Sequence, residues 1–267
     1  MTAISAIGTL SGRRAALTAR TPRQILVPLL TPILFALVIA PALQQALGGL
    51  KTHVDYTAFV SIGTVGLLIP LTTIFAGLSV IVDRSEGAQR ELLTAPVPRG
   101  LLVIGNLVVA LAVSALQVAV LMGAALARGA DFHASASGLL WFLGAALLFA
   151  VFMYGVAETL ASRVPKQDEY IAATPAIAIL PWFFAGALFP IAALPGALTA
   201  FAKVLPLTHA LALMRYGLLG DHGAGLHDIW GMSSTTAEAA LSLGVVALFA
   251  AAFTALSIRV FSRAASG

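Results

Sequence analysis

Six stretches of this chain carry no Asp, Glu, Lys or Arg, and each is long enough to cross a lipid bilayer. They run Gln24 to Leu50, Tyr56 to Val82, Gly100 to Ala127, Ala134 to Ala157, Ile171 to Ala202 and Ala239 to Ile258. A helix needs about 20 mostly apolar residues to span the roughly 30 Å hydrocarbon layer. Strands of a membrane barrel would alternate apolar and polar side chains over about ten residues; these runs are continuous. The expectation is an all-α integral membrane protein with six transmembrane helices, forming one membrane domain over residues 1–267. Charge agrees: only 10% of residues are charged, against roughly 25% in soluble domains, so too few exist to coat a globule.

Lys and Arg collect on the cytoplasmic side of membrane proteins, which orients the spans. With a cytoplasmic N-terminus, Arg13, Arg14, Arg20, Arg23, Arg84, Arg90, Arg99, Arg163, Lys166, Arg259 and Arg263 lie inside. Only Lys51, Arg128, Lys203 and Arg215 of the 15 basic residues lie outside. Both termini are thus expected in the cytoplasm of a multi-pass protein of the bacterial inner membrane. The basic pI near 9.9 reads as topology, not as nucleic-acid binding. The first apolar run is too long for the core of a secretory signal, and no small-residue cleavage site follows it. The chain has no cysteine, so disulfides, thiolate nucleophiles and Cys-ligated metals are excluded.

Three segments are neither plain spans nor plain turns. In residues 1–23, Ile4, Ile7, Leu10 and Leu17 fall within about 140° of arc, with Arg13, Arg20 and Arg23 beyond it. Arg14 breaks the pattern by falling inside the apolar arc. This reads as a basic amphipathic helix at the membrane surface, ending before Pro22; a disordered basic tail is the alternative. Residues 83–99 form the most charged connection, DRSEGAQRELLTAPVPR. Asp83 with Glu86 reads as a capping pair, Leu92 and Leu93 form an apolar end that needs a partner, and Pro96 and Pro98 stop the helix. In residues 186–231, apolar character continues past the length of one span and is broken by Pro190, Pro195 and Pro206, with Pro181 before them. Irregular backbone at membrane depth survives only when buried in protein or lining water. A broken, re-entrant hairpin on the outer side is expected between spans five and six, followed by a polar loop near Asp221 to Trp230.

The chemistry searched for is mostly missing. No Gly-rich loop with a Lys-Ser or Lys-Thr end is present to cradle ATP phosphates. The five histidines, His53, His133, His209, His222 and His227, all fall in expected outer regions. Asp221, His222, His227 and Asp228 are the one cluster with metal-like composition, and its spacing fits a solvated loop better than a site. Ser61, Thr72, Thr73, Ser79 and Ser114 are scattered hydroxyls with no adjacent base. Glu158, near the cytoplasmic end of span four, is the clearest intramembrane charge and a functional candidate; snorkelling toward Arg163 is the competing reading. Glu238 is expected to be interfacial. Asn106 and Gln117 are expected to make helix–helix hydrogen bonds.

Two motifs in register resemble the ABC type-2 permeases, specifically the daunorubicin-resistance permease-like exporters. One is Asp83-Arg84-Ser85-Glu86-Gly87 followed by Glu91-Leu92-Leu93-Thr94-Ala95-Pro96-Val97. The other is Phe183-Phe184-Ala185-Gly186-Ala187-Leu188-Phe189-Pro190, then Leu194-Pro195-Gly196, then Leu205-Pro206-Leu207-Thr208-His209-Ala210 and Arg215. The resemblance implies a transport subunit, not an enzyme, with no cofactor on this chain. ATP and Mg would sit on separate ABC ATPase subunits, and a second permease copy or a paralogue would complete the unit within the membrane lipid. It also implies roles. Asp83, Arg84, Glu86, Gly87, Arg90, Glu91, Leu92, Leu93 and Pro96 would form a coupling helix seated on the ATPase. Phe183, Phe184, Gly186, Phe189, Pro190, Pro195, Pro206 and His209 would form the outer hairpin and exit path. The cargo would be an amphipathic drug, a lipid or a polysaccharide-type molecule. Glu158 departs from the family, whose permeases are usually neutral at that place. A self-sufficient secondary carrier or an intramembrane enzyme is the alternative.

Overall fold

The computed structural model describes residues 3–47, 55–94, 97–220 and 222–264, and every regular element among them is helical. The chain opens with α1 (Ala3–Arg20), then α2 (Arg23–Leu34), which passes through a π turn (Phe35–Ile39) into α3 (Ala40–Leu47). Next come α4 (Tyr56–Ser85), the short α5 (Ala88–Thr94), α6 (Arg99–Ala127) and α7 (Ala136–Ala161). After them α8 (Gln167–Ala172), a second π turn (Pro175–Ile179) and α9 (Leu180–Phe184) run nearly without interruption. A 3-10 turn (Ile191–Ala193) leads to α10 (Gly196–Ala202), α11 (Pro206–Leu218), α12 (Ala224–Trp230) and α13 (Thr235–Ala264).

Five stretches are long and apolar enough to cross a bilayer: Ile25–Leu43, Tyr56–Ser85, Arg99–Ala127, Ala136–Ala161 and Thr235–Arg263. The expected fifth run, Ile171 to Ala202, is not one helix. Prolines explain why. A proline inside a helix removes one N–H and clashes with the carbonyl four residues back, and a π turn relieves that register. Both π turns stand just before such a proline, Pro41 in one case and Pro181 in the other. The carbonyl of Leu37, four residues before Pro41, instead accepts from Arg128 Nη2 at 3.5 Å.

The α8–α9 run nevertheless crosses the bundle. Tyr170 Oη donates to Ile74 O at 3.0 Å, while Trp182 Nε1 donates to Gly63 O at 2.8 Å. Between those two bonds the segment climbs eleven residues of α4, about 16 Å at 1.5 Å per residue. Parity requires the same. The α1 helix packs on the α5 end of α6, where Ser11 Oγ donates to Gly105 O at 3.2 Å. The C-terminal turn of α13 lies at that end too, since Arg99 Nη1 donates to Ser262 O at 2.8 Å. Two ends on one side need an even number of crossings, so α8–α9 is the sixth.

The hairpin then dips back in. α10 and α11 meet at 81°, with Pro195 and Pro206 opening the two helices, where a missing N–H is harmless. A Cβ added to Gly66 would lie 2.9 Å from Leu207 Cδ1, so the start of α11 sits about ten residues deep along α4. At its other end Gly217 crosses Gly138 so closely that a Cβ on either would come within 2.1–2.3 Å of the other's carbonyl oxygen. α11 therefore rises from mid-bundle to the end of the bundle where α7 begins. α4 forms the centre, with 67% of its apolar window buried, against 22% for α13 at the rim.

Candidate functional site

At the end where α1 docks and α13 finishes, α4 stops at Ser85 and the chain turns through Gly87 into α5. The N–H of Glu86 donates to Val82 O at 2.9 Å and that of Gly87 to Arg84 O at 3.3 Å. Gly87 has φ +82°, the left-handed conformation that closes a helix and strains any side-chain-bearing residue. Glu86 in the turn, and Arg90, Glu91 and Thr94 on α5, are exposed. Leu92 and Leu93 are half-buried and pack against the cluster that holds Val80, Ile81, Leu102 and Phe261. Resting these two half-buried leucines on the bundle sets which face of α5 points outward, and that face is charged. Pro96 lies outside the described residues.

Asp83 and Arg84 also face inward. Asp83 does not cap with Glu86, because it lies within α4 and its carboxylate accepts from Arg14 Nη2 at 2.6 Å. Arg14 Nε donates to Asn106 Oδ1 at 2.9 Å, and Arg13 stands 3.7 Å from the same Asp83 oxygen. Arg14 is 6% exposed. The residue that broke the amphipathic pattern of α1 is thus the one that holds it. α1 is docked rather than simply floating on a surface: Ala6 is buried, Leu10 packs near Gly105, and Ile4 remains 83% exposed. Arg84 reaches across to α7, donating to Ala161 O at 3.2 Å and to Val164 O, where the last carbonyls of a helix lack partners.

Glu158 does not snorkel toward Arg163. It is 0% exposed, and its Oε2 accepts from Tyr154 Oη at 2.8 Å, while Oε1 has no hydrogen-bond partner. Asn106 and Gln117 do join helices, Gln117 through Thr72 and through Nε2 to Ile25 O. Thr72 and Thr73 also bond the carbonyls of Leu68 and Ile69 at 2.9 and 3.0 Å, beside Pro70, which leaves no hydroxyl–base pair there.

The opposite end carries the hairpin. Gly186 turns at φ +80°, and buried Arg215 of α11 clamps the turn, donating to Gly186 O at 2.7 Å and Ala187 O at 2.9 Å. Its guanidinium also lies 3.5 Å from the centroid of the Phe59 ring, a cation–π contact. Tyr56 Oη donates to Leu188 O. Phe184 packs edge-on to Phe201 at 5.8 Å, tying α9 to α10, while Phe183 and Phe189 are exposed. His209 is buried inside the hairpin: Nε2 faces Lys203 O at 2.9 Å and Nδ1 faces Ser242 Oγ at 3.2 Å. Trp230 Nε1 donates to the same Ser242 oxygen at 2.8 Å, so the Ser242 hydroxyl proton is directed to His209 Nδ1 and Nε2 carries the other proton. Glu238, in the first turn of α13, is 1% exposed, accepting from Met232 N at 2.6 Å with His227 Nδ1 3.3 Å away. Sequence reasoning missed Ser242 and Trp230; one small polar residue in an apolar run carries too little signal. The loop expected near Asp221 to Trp230 is largely α12, and Asp221 itself lies outside the described residues.

A family model described as ABC-2 type transporter matches residues 5–219. This chain belongs to the ABC-2 type transporter family. A search of curated proteins found no match. The family match covers nearly all of α1, the α5 turn and the hairpin through α11, and stops before α12 and α13. As an ABC-2 membrane protein the chain is a multi-pass transport component, and its fold places α1, α5 and the last turn of α13 at one end and the Arg215-clamped hairpin at the other.

Proposed function

We propose that this ABC-2 protein is the permease subunit of an ATP-driven exporter. Separate ABC ATPase subunits, carrying ATP and Mg, seat on α5, and a second permease copy or a paralogue completes the unit. The observation that carries the reading is α5 with the turn before it: a short helix resting on the bundle through Leu92 and Leu93, with Glu86 of the turn and Arg90 and Glu91 of the helix exposed to solvent. A charged helix face held at a set angle is a fitted surface for a soluble partner, and complementary charges there give specificity. The α5 end is then cytoplasmic, as the basic residues indicate, in a bacterial inner membrane. Closure of the ATPases pushes on α5 and α4, and cargo leaves past the hairpin at the other end. The apolar spans and the daunorubicin-resistance-like motifs favour an amphipathic drug or lipid-like cargo over a polysaccharide.

The test is purification of the tagged protein in mild detergent, with identification of stoichiometric partners, for the native chain and for Glu86→Lys with Arg90→Glu. A subunit bearing a phosphate-binding loop, recovered with the native chain and lost from the charge-reversed variant, is the expected result. The alternative of a self-sufficient carrier is favoured by one observation, the buried Glu158 carboxylate. Substrate movement in proteoliposomes holding this chain alone, abolished by Glu158→Gln, would establish it and refute the exporter reading.

A further inference from the structure

Between α6 and α7 the bundle leaves a cleft of about 360 Å³, within the ~300–1,000 Å³ range of ligand sites. It exists because α6 presents Ala115 and Ala119 where α7 presents Ala146 and Ala150, so the facing side chains are too short to meet. Its placement is specific. On α6 the lining runs from Leu111 to Met122, about 17 Å at 1.5 Å per residue, from mid-helix toward the hairpin end. On α7 it runs from Phe142, near the hairpin end, to Ala150 at mid-helix. Ile69, near the midpoint of α4, forms part of the floor. The cleft is therefore as long as one leaflet is deep, since half of a roughly 30 Å hydrocarbon layer is about 15 Å.

We propose that this cleft is a binding site for one acyl chain of a bilayer lipid from the leaflet at the hairpin end, its methyl end seated at Ile69 and Ala150. A cleft of leaflet length, open to the membrane and lined by apolar side chains, is complementary to a single extended chain, and water gains nothing in it. Ser114 is the lone polar side chain of the lining. It is 3% exposed with its Oγ closed off from the cleft, so the surface offered to a ligand is apolar. The site is separate from α5 and from the hairpin interior, and it stands whether or not an ATPase is the partner.

The experiment uses the full chain alone in nanodiscs doped with a phospholipid carrying a photoactivatable diazirine near the end of one acyl chain, with peptide mapping of the adducts. Expected are adducts concentrated on residues 111–122 and 142–150, and their loss in Ala119→Phe, whose native side chain is exposed and whose replacement fills the cleft. A diazirine placed near the headgroup should shift adducts toward Met122 and Phe142. Equal labelling of other exposed apolar positions, such as Leu30, Leu180 and Leu248, overturns the proposal, as does full labelling of Ala119→Phe. Displacement by an amphipathic drug but not by lipid overturns the lipid assignment and makes the cleft a cargo site.

Discussion

Replacing Arg14 by leucine should unfasten α1 from the bundle. Arg14 Nη2 stands 2.6 Å from Asp83, with 8% and 14% of the two side chains exposed, and Nε is bonded to Asn106 at 2.9 Å. Removing one member of a buried pair leaves the other charge without compensation, at about 3–5 kcal/mol. Arg13 remains 3.7 Å from Asp83 and softens the loss, so the lower figure of about 3 kcal/mol applies. At about 2–4 °C per kcal/mol for a chain of this size, the apparent Tm should fall by about 6–12 °C. Replacing both Arg14 and Asp83 by leucine removes both charges, and similar-sized apolar pairs are often tolerated. The double variant should therefore be more stable than the single ones imply, with a coupling of about 2 kcal/mol or more. The exposed pair Lys166–Glu169, at 76% and 55% exposure, serves as the reference and should couple by less than about 0.5 kcal/mol. The assay is thermal unfolding of the native protein and of the single and double variants of both pairs in one detergent, with trypsin cleavage near Arg20 reporting release of α1. An Arg14→Leu shift no larger than that of Lys166→Ala, or additivity within about 0.5 kcal/mol, would refute the anchoring role.

Gly138→Val and Gly217→Val should each abolish recovery of folded protein, because the Cβ would meet the opposing carbonyl at 2.1–2.3 Å. Gly123→Ala, with nothing within 4 Å, should instead raise thermal stability by up to about 1 kcal/mol. Gly87→Ala lies in open space but at φ +82°, so it should lose about 1 kcal/mol and weaken partner capture without affecting membrane insertion. Tyr154→Phe should destabilise by about 1–3 kcal/mol by leaving both Glu158 oxygens unsatisfied, and Glu158→Leu added to it should restore part of that loss; equal or greater instability of the pair would argue against the hydrogen bond.

The spans were legible because each is a long local pattern: the run Gly100 to Ala127 is α6 within one residue. The helix α1 could be read to its end, but Arg14 could not be placed, since its partners lie 69 and 92 residues away. Leu92 and Leu93 show the same limit from the other direction. Sequence marked them as apolar residues in search of a surface, and only tertiary packing revealed that the surface belongs to their own bundle. The broken character between spans five and six followed from its prolines. The depth of α11 beside Gly66, and the grip of Arg215 on the hairpin turn, depend on contacts that no local spacing encodes.

The anchoring of Arg14 has a consequence for how the protein is made. Its two partners are translated 69 and 92 residues later, which at about 5–20 residues per second is a delay of several seconds. Throughout that interval the nascent N-terminal helix carries an arginine within its apolar face and has nowhere to bury it. It must wait at the lipid headgroups, where that cation can remain in water, until the third crossing has entered the membrane. The amphipathic pattern read from the sequence thus describes a waiting state on the membrane surface, and the docked helix is what replaces it once synthesis reaches Asn106.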